Sequence, residues 1–177
     1  MVRLRLHLRC LFPHQPRRRP SAPLWVALVL VCSGCLGRSA SPQALPAIDL
    51  PDLHTPSVRH TNADYLGRRL VINVFASTCV PCKKELPMMV RVASEEPAVA
   101  FLGIDQLEFR PAALAFVSGL GVAFPVALDE SGDLAVSLQL AGLPTTIFVD
   151  SDGRETARVT GPITENSLRH HIHALLR

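Results

Sequence analysis

Residues 71–89 read VINVFASTCVPCKKELPMM, and this stretch decides the fold expected for the chain. The apolar run at 70–75 is typical of a strand that is buried on both faces of a sheet. Two small polar residues then lead to two cysteines, Cys79 and Cys82, and the residues that follow favour a helix. We interpret the stretch as a strand, a tight turn, a thiol pair and a helix, an arrangement suited to reversible exchange between a dithiol and a disulfide.

The composition fits one globular domain with an N-terminal appendage. The chain has 177 residues, of which 48% are apolar, so a sizeable core is available. The formal charge of +3 is uneven, because the first 34 residues carry six arginines and no acid, which leaves 12 basic and 15 acidic residues from Cys35 onward. With one Trp and one Tyr, the chain has no basic patch with aromatic residues, so nucleic-acid binding has no support.

Residues 1–35 have the pattern of a bacterial export signal. An arginine-rich segment precedes the apolar residues 24–31 (LWVALVLV), which are too few to cross a bilayer as an ordinary helix, and small residues follow. The small pair before Cys35 resembles the end of a lipoprotein signal, which predicts lipidation of Cys35 and anchoring to the membrane. Cys32 stands where such signals usually carry an aliphatic residue, so an ordinary cleaved signal and an uncleaved anchor stay open as alternatives.

The rest of the chain divides into a short linker and one domain. Residues 36–46 are small and polar and contain proline, which predicts a flexible tether. Residues 47–177 predict a single α/β domain that begins with short edge strands near Ile48 and Val58. A capped helical turn is expected after them, at 61–67.

From the strand at 70–75 onward, the pattern predicts the order β-α-β-α-(α)-β-β-α. In this order, residues 124–128 lead into a turn and a short helix and do not count as a strand. Asp152-Gly153 between two β-rich runs predicts a hairpin, and Thr164 caps a last helix. We therefore expect a mixed central sheet, parallel in its first half and antiparallel in its second, flanked by helices on both faces.

The position of Cys79 at the beginning of a helix predicts a reactive thiol. Free backbone N–H groups and the helix dipole stabilise the thiolate, and Lys83 and Lys84 add positive charge, so the pKa of Cys79 should fall below its usual value of about 8.5. Cys82 lies one turn further on and should resolve a mixed disulfide. Half of a zinc site and an inert structural disulfide stay open as alternatives, although no second Cys/His pair lies at ordinary zinc-site spacing.

Two motifs, in this order, resemble those of the thioredoxin superfamily. They are CVPCKKELP at 79–87, preceded by NVFA at 73–76, and GLPTT at 142–146. More narrowly, the chain is similar over about residues 48–177 to the membrane-tethered TlpA/ResA-type thiol–disulfide oxidoreductases. The resemblance implies a thioredoxin-like fold on the extracytoplasmic side of a bacterial cell membrane, in the periplasm or on the outer face.

The resemblance also implies partners. The substrates would be exported proteins that carry disulfides, such as apocytochrome c during cytochrome c maturation or copper-handling proteins, and the activity would serve cell redox homeostasis. A membrane electron donor of the thiol type would return the thiol pair to its reduced form. We expect a monomer that needs no cofactor.

Individual residues receive roles from the same resemblance. Cys79 would attack a substrate disulfide and Cys82 would resolve it, with Pro144 as a cis-proline that faces the two thiols. The backbone of Leu143 would bind an extended segment of the substrate. Glu85 matches the position of a carboxylate that relays the Cys82 proton, and the alternative is an exposed glutamate paired with a lysine.

The surroundings of the thiols depart from the thioredoxin pattern. Thr78, Val80 and Pro81 flank the two cysteines and are assigned to substrate binding. Thr78 replaces the usual Trp before the first cysteine, and Asn73 stands where thioredoxin proper has a buried aspartate. Substrate preference is therefore the property that the resemblance predicts least.

Two other functions stay open as alternatives. A copper- or zinc-binding chaperone would use the thiol pair as ligands, and a thiol peroxidase would use one reactive cysteine. His170, His171 and His173 invite a metal interpretation, but they lie near the end of the chain on a predicted helix, where a solvated face accounts for them better. We predict no metal site.

Overall fold

The computed structural model describes residues 43–177, so the predicted export signal at 1–35 and the predicted lipidation site Cys35 lie outside the described residues. The described chain contains strands and α-helices that alternate over most of its length. The strands are β1 (Gln43–Ala44), β2 (Asp49–Pro51), β3 (Arg59–Thr61), β4 (Arg69–Phe75), β5 (Val99–Gln106), β6 (Val126–Asp129), β7 (Thr145–Val149) and β8 (Arg154–Thr160). The helices are α1 (Val80–Glu95), α2 (Arg110–Gly119), α3 (Asp133–Ser137) and α4 (Glu165–Leu175).

Six of the strands form one mixed sheet in the order β1-β8-β7-β4-β5-β6. Strands β4, β5 and β6 are parallel neighbours, and helices α1 and α2 connect them. Strand β7 runs antiparallel to β4, and β8 runs antiparallel to β7 through the predicted hairpin. The predicted mixed sheet, with a parallel first half and an antiparallel second half, is confirmed.

Strand β4 lies in the middle of the sheet, and its side chains alternate between two hydrophobic layers. Leu70, Ile72 and Val74 belong to a core that also contains residues of α3. Val71 and Phe75 belong to the opposite layer, where residues of α1, α2 and α4 cover the sheet. Helices therefore lie on both faces, as predicted, and the central strand is buried on both sides.

The predicted order of elements missed one strand. The prediction that residues 124–128 lead directly into a turn is wrong, because Val126–Asp129 forms β6 and pairs in parallel with β5. The strand has four residues, all of them buried, and follows Pro125, so its sequence shows no alternation that would mark a strand. Its partner β5 and the crossover through α2 hold it in place, and both are features of the tertiary structure.

The sheet begins inside the stretch that the sequence predicts as a tether. Gln43 and Ala44 of β1 pair with Glu155 and Arg154 of β8, so the domain reaches back at least to Gln43. The part of the predicted tether at 36–42 lies outside the described residues. Among residues 43–177, no helix combines the length and the apolar character that a membrane-crossing segment needs.

Strands β2 and β3 form a separate hairpin that is fastened to the edge of the main sheet. Asp52 forms an isolated antiparallel bridge with Ala127, and the Leu53 N–H donates to the Val126 carbonyl at 2.7 Å. The guanidinium of Arg110 donates to the carbonyls of Asp52 and Leu53. These contacts hold the Leu53 side chain over the layer that contains α1 and α2.

Candidate active site

The cysteine pair lies at the carboxyl end of the central strand, where the chain turns into α1. Strand β4 ends at Phe75, the Cys79 N–H donates to the Ala76 carbonyl at 3.0 Å, and α1 begins at Val80. Pro81 occupies one of the first helical positions, where its missing N–H costs no hydrogen bond. The predicted succession of strand, turn, thiol pair and helix is confirmed.

Cys79 and Cys82 are joined by a disulfide, with their Cα atoms 5.3 Å apart. Cys79 is the half-buried N-cap residue of α1, and its sulfur accepts a hydrogen bond from the Cys82 N–H at 3.2 Å. Lys83 and Lys84 are exposed on the next positions of the helix. Once the disulfide is reduced, this N–H group, the helix dipole and the two ammonium groups favour a thiolate on Cys79.

Cys82 has a different environment from its partner. Its side chain is 0% exposed and belongs to an apolar cluster with Leu53, Phe75 and Leu86. An apolar environment disfavours the charged form of a thiol, so Cys82 needs a group that takes its proton when it reacts. The two cysteines are therefore unequal, because Cys79 is half-buried at the helix end and Cys82 is fully buried.

The Glu85 carboxylate is buried on α1, and its side chain is 5% exposed. It accepts hydrogen bonds from Asn73 Nδ2 and from the Ile163 N–H, both at 3.0 Å, so its partners are not lysines. Burial raises the pKa of Glu85, while the hydrogen bonds from Ile163 and Asn73 act in the opposite direction. Of the two alternatives for Glu85, the exposed glutamate paired with a lysine is wrong, and the buried carboxylate is what the structure contains.

The peptide bond between Leu143 and Pro144 is cis, as predicted. The Thr145 hydroxyl donates to the Gly142 carbonyl at 2.6 Å, and the Gly161 N–H donates to the Pro144 carbonyl at 2.8 Å, so the loop is fixed on both sides of the proline. Leu143 is half-buried against the cluster that contains Cys82. Its own N–H and C=O have no hydrogen-bond partner among the described residues, which leaves them available to an extended peptide.

The residues assigned to substrate binding surround the disulfide at different depths. Thr78 is exposed, Val80 is 61% exposed and Pro81 is half-buried. A groove of about 380 Å³ begins at Val80 and Pro81 and runs between α1 and the segment before α4. Its lining residues are Val80, Pro81, Lys84, Glu85, Met88, Pro162, Ile163 and Glu165. The thiols therefore lie next to an open, mostly apolar surface.

A cluster that the sequence analysis did not single out lies beside the thiol turn. The Glu108 carboxylate accepts hydrogen bonds from the Ser77 N–H at 3.1 Å and from the Ser77 hydroxyl. Asp105, three residues before Glu108, is fully buried at the end of β5. The sequence contained one indication of this cluster. An acidic residue at the end of a strand that runs parallel to β4 must lie at the same edge of the sheet as the thiols.

The three histidines of α4 do not act as one group. The His171 ring stacks on Phe148 with ring centres 4.5 Å apart, and burial together with the neighbouring His170 lowers the pKa of His171. His170 and His173 are exposed. Among residues 43–177, no group of three or more His, Cys, Asp or Glu side chains is arranged to hold a metal ion.

Comparison with known proteins gives one family and several relatives. The Redoxin family model matches residues 40–172. The thiol:disulfide interchange protein DsbE of Pseudomonas aeruginosa is 30% identical over 158 residues, which is 86% of this chain and 87% of that protein. The thiol-disulfide oxidoreductase ResA of Bacillus thuringiensis is 29% identical over 111 residues, which is 62% of this chain and 64% of that protein.

Solved structures agree with the fold described above. The MTB protein DsbF, solved in mixed oxidised and reduced forms, has a TM-score of 0.69 and 26% identity, and the alignment covers 75% of this chain and 99% of that one. A thiol:disulfide interchange protein of the thioredoxin family from Chlorobium tepidum has a TM-score of 0.69 and 23% identity, with 78% and 99% covered. The predicted thioredoxin-like fold is confirmed.

Proposed function

This chain belongs to the redoxin family, and from that membership we propose that it is an extracytoplasmic thiol–disulfide oxidoreductase that reduces disulfides in exported proteins. The observation that carries the proposal is the disulfide at the beginning of α1, with a helix N–H directed at the Cys79 sulfur. The cis-proline loop, whose Leu143 packs against the cluster that contains Cys82, supports the same conclusion. The names of the relatives, DsbE and ResA, are those of thiol–disulfide exchange proteins.

The first step is an attack by the reduced Cys79. Its thiolate forms a bond to one sulfur of the substrate disulfide, the substrate S–S bond breaks, and the other substrate sulfur leaves as a thiolate that takes a proton. The helix end favours the attacking thiolate. The substrate chain lies in an extended form against Leu143, whose backbone groups are unpaired among the described residues.

The second step releases the substrate. The Cys82 sulfur attacks Cys79, a Cys79–Cys82 disulfide forms, and the second substrate sulfur leaves as a thiolate, so two electrons have passed to the substrate. Cys82 must lose its proton for this attack, and Glu85 lies one turn further along α1 as a buried carboxylate that accepts it. A membrane donor of the thiol type then returns the pair to its reduced form.

Trapping of the mixed disulfide tests this sequence of steps. A Cys82→Ser variant should hold its substrate on Cys79 as a mixed disulfide that reducing agent releases, and a Cys79→Ser variant should hold none. Mass spectrometry of the trapped partner would identify the substrate, with apocytochrome c as our expectation. Stoichiometric copper or zinc on the reduced protein, without exchange activity, would instead support the metal chaperone.

The direction of electron flow is tested by a redox titration of the Cys79–Cys82 pair. We expect a reduction potential of about −200 mV or lower, which is the range of proteins that donate electrons to disulfides. A potential near about −120 mV would identify an oxidant and overturn the reductive direction. The same residues would then run the two steps in reverse.

The location follows from the N-terminal segment. Export is directed by residues 1–35, and the mature chain begins at a lipid-modified Cys35 that anchors the domain to the membrane. The support is the arginine-rich segment, the short apolar run and the small residues before Cys35. Mass spectrometry of the mature N-terminus checks the anchor: we expect a diacylglycerol-modified Cys35, and an unmodified N-terminus at another residue would contradict it.

A further inference from the structure

We propose that Asp105 and Glu108 form a carboxylic acid–carboxylate pair that positions the turn carrying Cys79 for thiol–disulfide exchange. The inference rests on the function proposed above, because it concerns the reactivity of the same thiol. Neither residue contacts the sulfur atoms through a hydrogen bond of the described structure. Both act through Ser77, which lies two positions before Cys79.

Glu108 fixes the turn at residues 76–79 through hydrogen bonds from another part of the chain. The turn is closed locally by the hydrogen bond from the Cys79 N–H to the Ala76 carbonyl. Among the hydrogen bonds described for residues 76–79, the two from Ser77 to Glu108 are those that reach beyond the turn and α1. The Glu108 side chain comes from the loop between β5 and α2, so it connects the thiol turn to a neighbouring part of the sheet.

Asp105 lies near the end of β5, and its neighbours on the adjacent strands are Phe75 and Leu128. Its side chain is 0% exposed, and neither carboxylate oxygen receives a hydrogen bond from a described residue. Phe75 and Leu128 have no side-chain donor to offer. A buried charge without a partner is costly, so the stable form of Asp105 is the neutral acid.

The proton of Asp105 allows a hydrogen bond between Asp105 and Glu108. Burial first, and then the hydrogen bond and negative charge of Glu108, raise the pKa of Asp105 to about 8. In its neutral form Asp105 is a donor, and its O–H group donates to the Glu108 carboxylate. Glu108 therefore accepts from three donors, which are the N–H and hydroxyl of Ser77 and the O–H of Asp105.

Only a carboxylate fits this position well. A carboxylate has two oxygens with about four acceptor sites, whereas a glutamine has one acceptor oxygen and an NH₂ group that can only donate. Hydrogen bonds to a charged acceptor are also roughly twice as strong as neutral ones. Glu108→Gln would therefore lose at least one of the three bonds and the charge.

The other charged groups on the elements packed around the pair have partners of their own. Arg110 on α2 donates to two hairpin carbonyls, and the carboxylate of Asp129 on β6 accepts from the Ala135 N–H. The ammonium of Lys83 on α1 lies 5.9 Å from the centre of the Phe116 ring. Asp52 of the hairpin pairs with His60 at 2.9 Å. No described cation forms an ion pair with Glu108. The Asp105 proton is therefore what limits the pair to one negative charge.

Loss of that proton should loosen the turn. At pH values above the range in which Asp105 is protonated, the buried Asp105 and the half-buried Glu108 are both carboxylates. The donor to Glu108 then disappears, and the two negative charges repel each other. Ser77 then loses a fixed partner, and the Cys79 turn becomes more mobile. The reactivity of Cys79 should consequently follow two titrations, its own and that of Asp105.

The experiment measures alkylation of reduced Cys79 by iodoacetamide from pH 5 to 10 in the full-length chain. It compares the wild type with Asp105→Asn, Glu108→Gln and the control Glu130→Gln, which removes an exposed acid from the turn after β6. Asp105→Asn keeps a neutral donor toward Glu108, so we expect a normal rate below neutral pH and loss of the second inflection. Glu108→Gln should be slower by about tenfold at and below neutral pH, because a Cys79 sulfur displaced from the helix N–H group is less stabilised as the thiolate that reacts.

The alkylation profiles of the variants decide whether the pair positions Cys79. A profile for Asp105→Asn and for Glu108→Gln that matches Glu130→Gln within twofold would overturn the positioning role. If Glu108→Gln fails to fold, the profile of Asp105→Asn still decides, because an unchanged second inflection in that variant contradicts the pair. A wild type whose Cys79 shows both inflections but exchanges with no disulfide would overturn the proposed function and leave the pair intact.

Discussion

Two buried carboxyl groups lie near the thiols, and they differ in how their charge is satisfied. Glu85 accepts hydrogen bonds from Asn73 and Ile163, whereas Asp105 has no donor among the described residues. Burial raises the pKa of both groups, but only Glu85 has hydrogen bonds that oppose the increase. Glu85 can therefore change its charge during the reaction, and Asp105 is better suited to staying neutral.

Glu85→Gln should remove the carboxylate that we propose as the proton acceptor for Cys82. A base works only when it is ionised, so in the wild type the release of substrate from the mixed disulfide should accelerate as pH rises through the raised pKa of Glu85. Glutamine should slow this step by about 10²-fold at neutral pH and flatten its profile. Stopped-flow measurement of glutathione release from pH 5 to 9 checks this, with Glu130→Gln as control, and a profile identical to the wild type would remove Glu85 from the mechanism.

Asp105→Asn should make the domain more stable at alkaline pH. The folded pKa of about 8 lies above the unfolded value of 3.8, so the stability that Asp105 contributes is present below about pH 4 and is lost as pH rises towards 8. A shift of this size corresponds to several kcal/mol, which asparagine should recover at pH 8 and not at pH 4. Urea unfolding at both pH values measures the difference, and Asp152→Asn, an exposed loop acid, should show none.

At the level of elements, the β2–β3 hairpin acts as a cover for the buried thiol. Leu53 is 0% exposed in the cluster that contains Cys82, and the contacts of Asp52 and Arg110 hold it there. The hairpin has only three residues in each strand, so its own pairing is weak. Its anchoring to β6 and α2 keeps Leu53 in the cluster that buries Cys82.

Leu53→Ala should therefore open access to Cys82. Removal of a fully buried leucine should cost about 3 kcal/mol of unfolding free energy, because the cavity is only partly refilled. In the reduced protein, alkylation of Cys82 should rise relative to Cys79, which peptide mass spectrometry after a brief labelling pulse measures. Val58→Ala, at an exposed position of the same hairpin, is the matched control, and equal labelling of Cys82 in both variants would argue against the covering role.

Some elements of the fold could be predicted from local sequence, and others could not. The thiol helix and the hairpin after Val149 follow from short sequence patterns, the cis-proline was expected from the resemblance to thioredoxin-like proteins, and the structure contains all three. Strand β6 was not predicted because its four residues are all buried and show no alternation of apolar and polar side chains. The Ser77–Glu108 contact was missed for a related reason, since it joins residues 31 positions apart through the register of two parallel strands.

At the level of the whole molecule, the two hydrophobic layers do not depend on the disulfide. One layer covers the face with α3, the other covers the face with α1, α2 and α4, and the bond between Cys79 and Cys82 closes a loop of only four residues. A short loop removes little entropy from the unfolded chain. The fold should therefore survive each redox cycle unchanged.

Reduction of the protein should thus have a small effect on stability. We expect the reduced form to lose about 2 kcal/mol or less of unfolding free energy, and a variant with Cys79→Ser and Cys82→Ala to behave like it, because alanine places no unpaired hydroxyl at the buried position. Urea unfolding followed by circular dichroism measures both, with the oxidised wild type as reference. Loss of the folded spectrum on reduction would instead support the structural disulfide that the sequence left open.

The pairing of Gln43 and Ala44 with β8 also bears on how far the domain could travel from the lipid anchor proposed at Cys35. If Cys35 carries the lipid, only seven residues separate it from the first strand, and a fully extended segment of that length spans at most about 25 Å. The reactive cysteine would then work in a thin layer above the bilayer surface. Partners that bring electrons or disulfides would have to present them within that layer, so encounter would be confined to two dimensions rather than the full compartment.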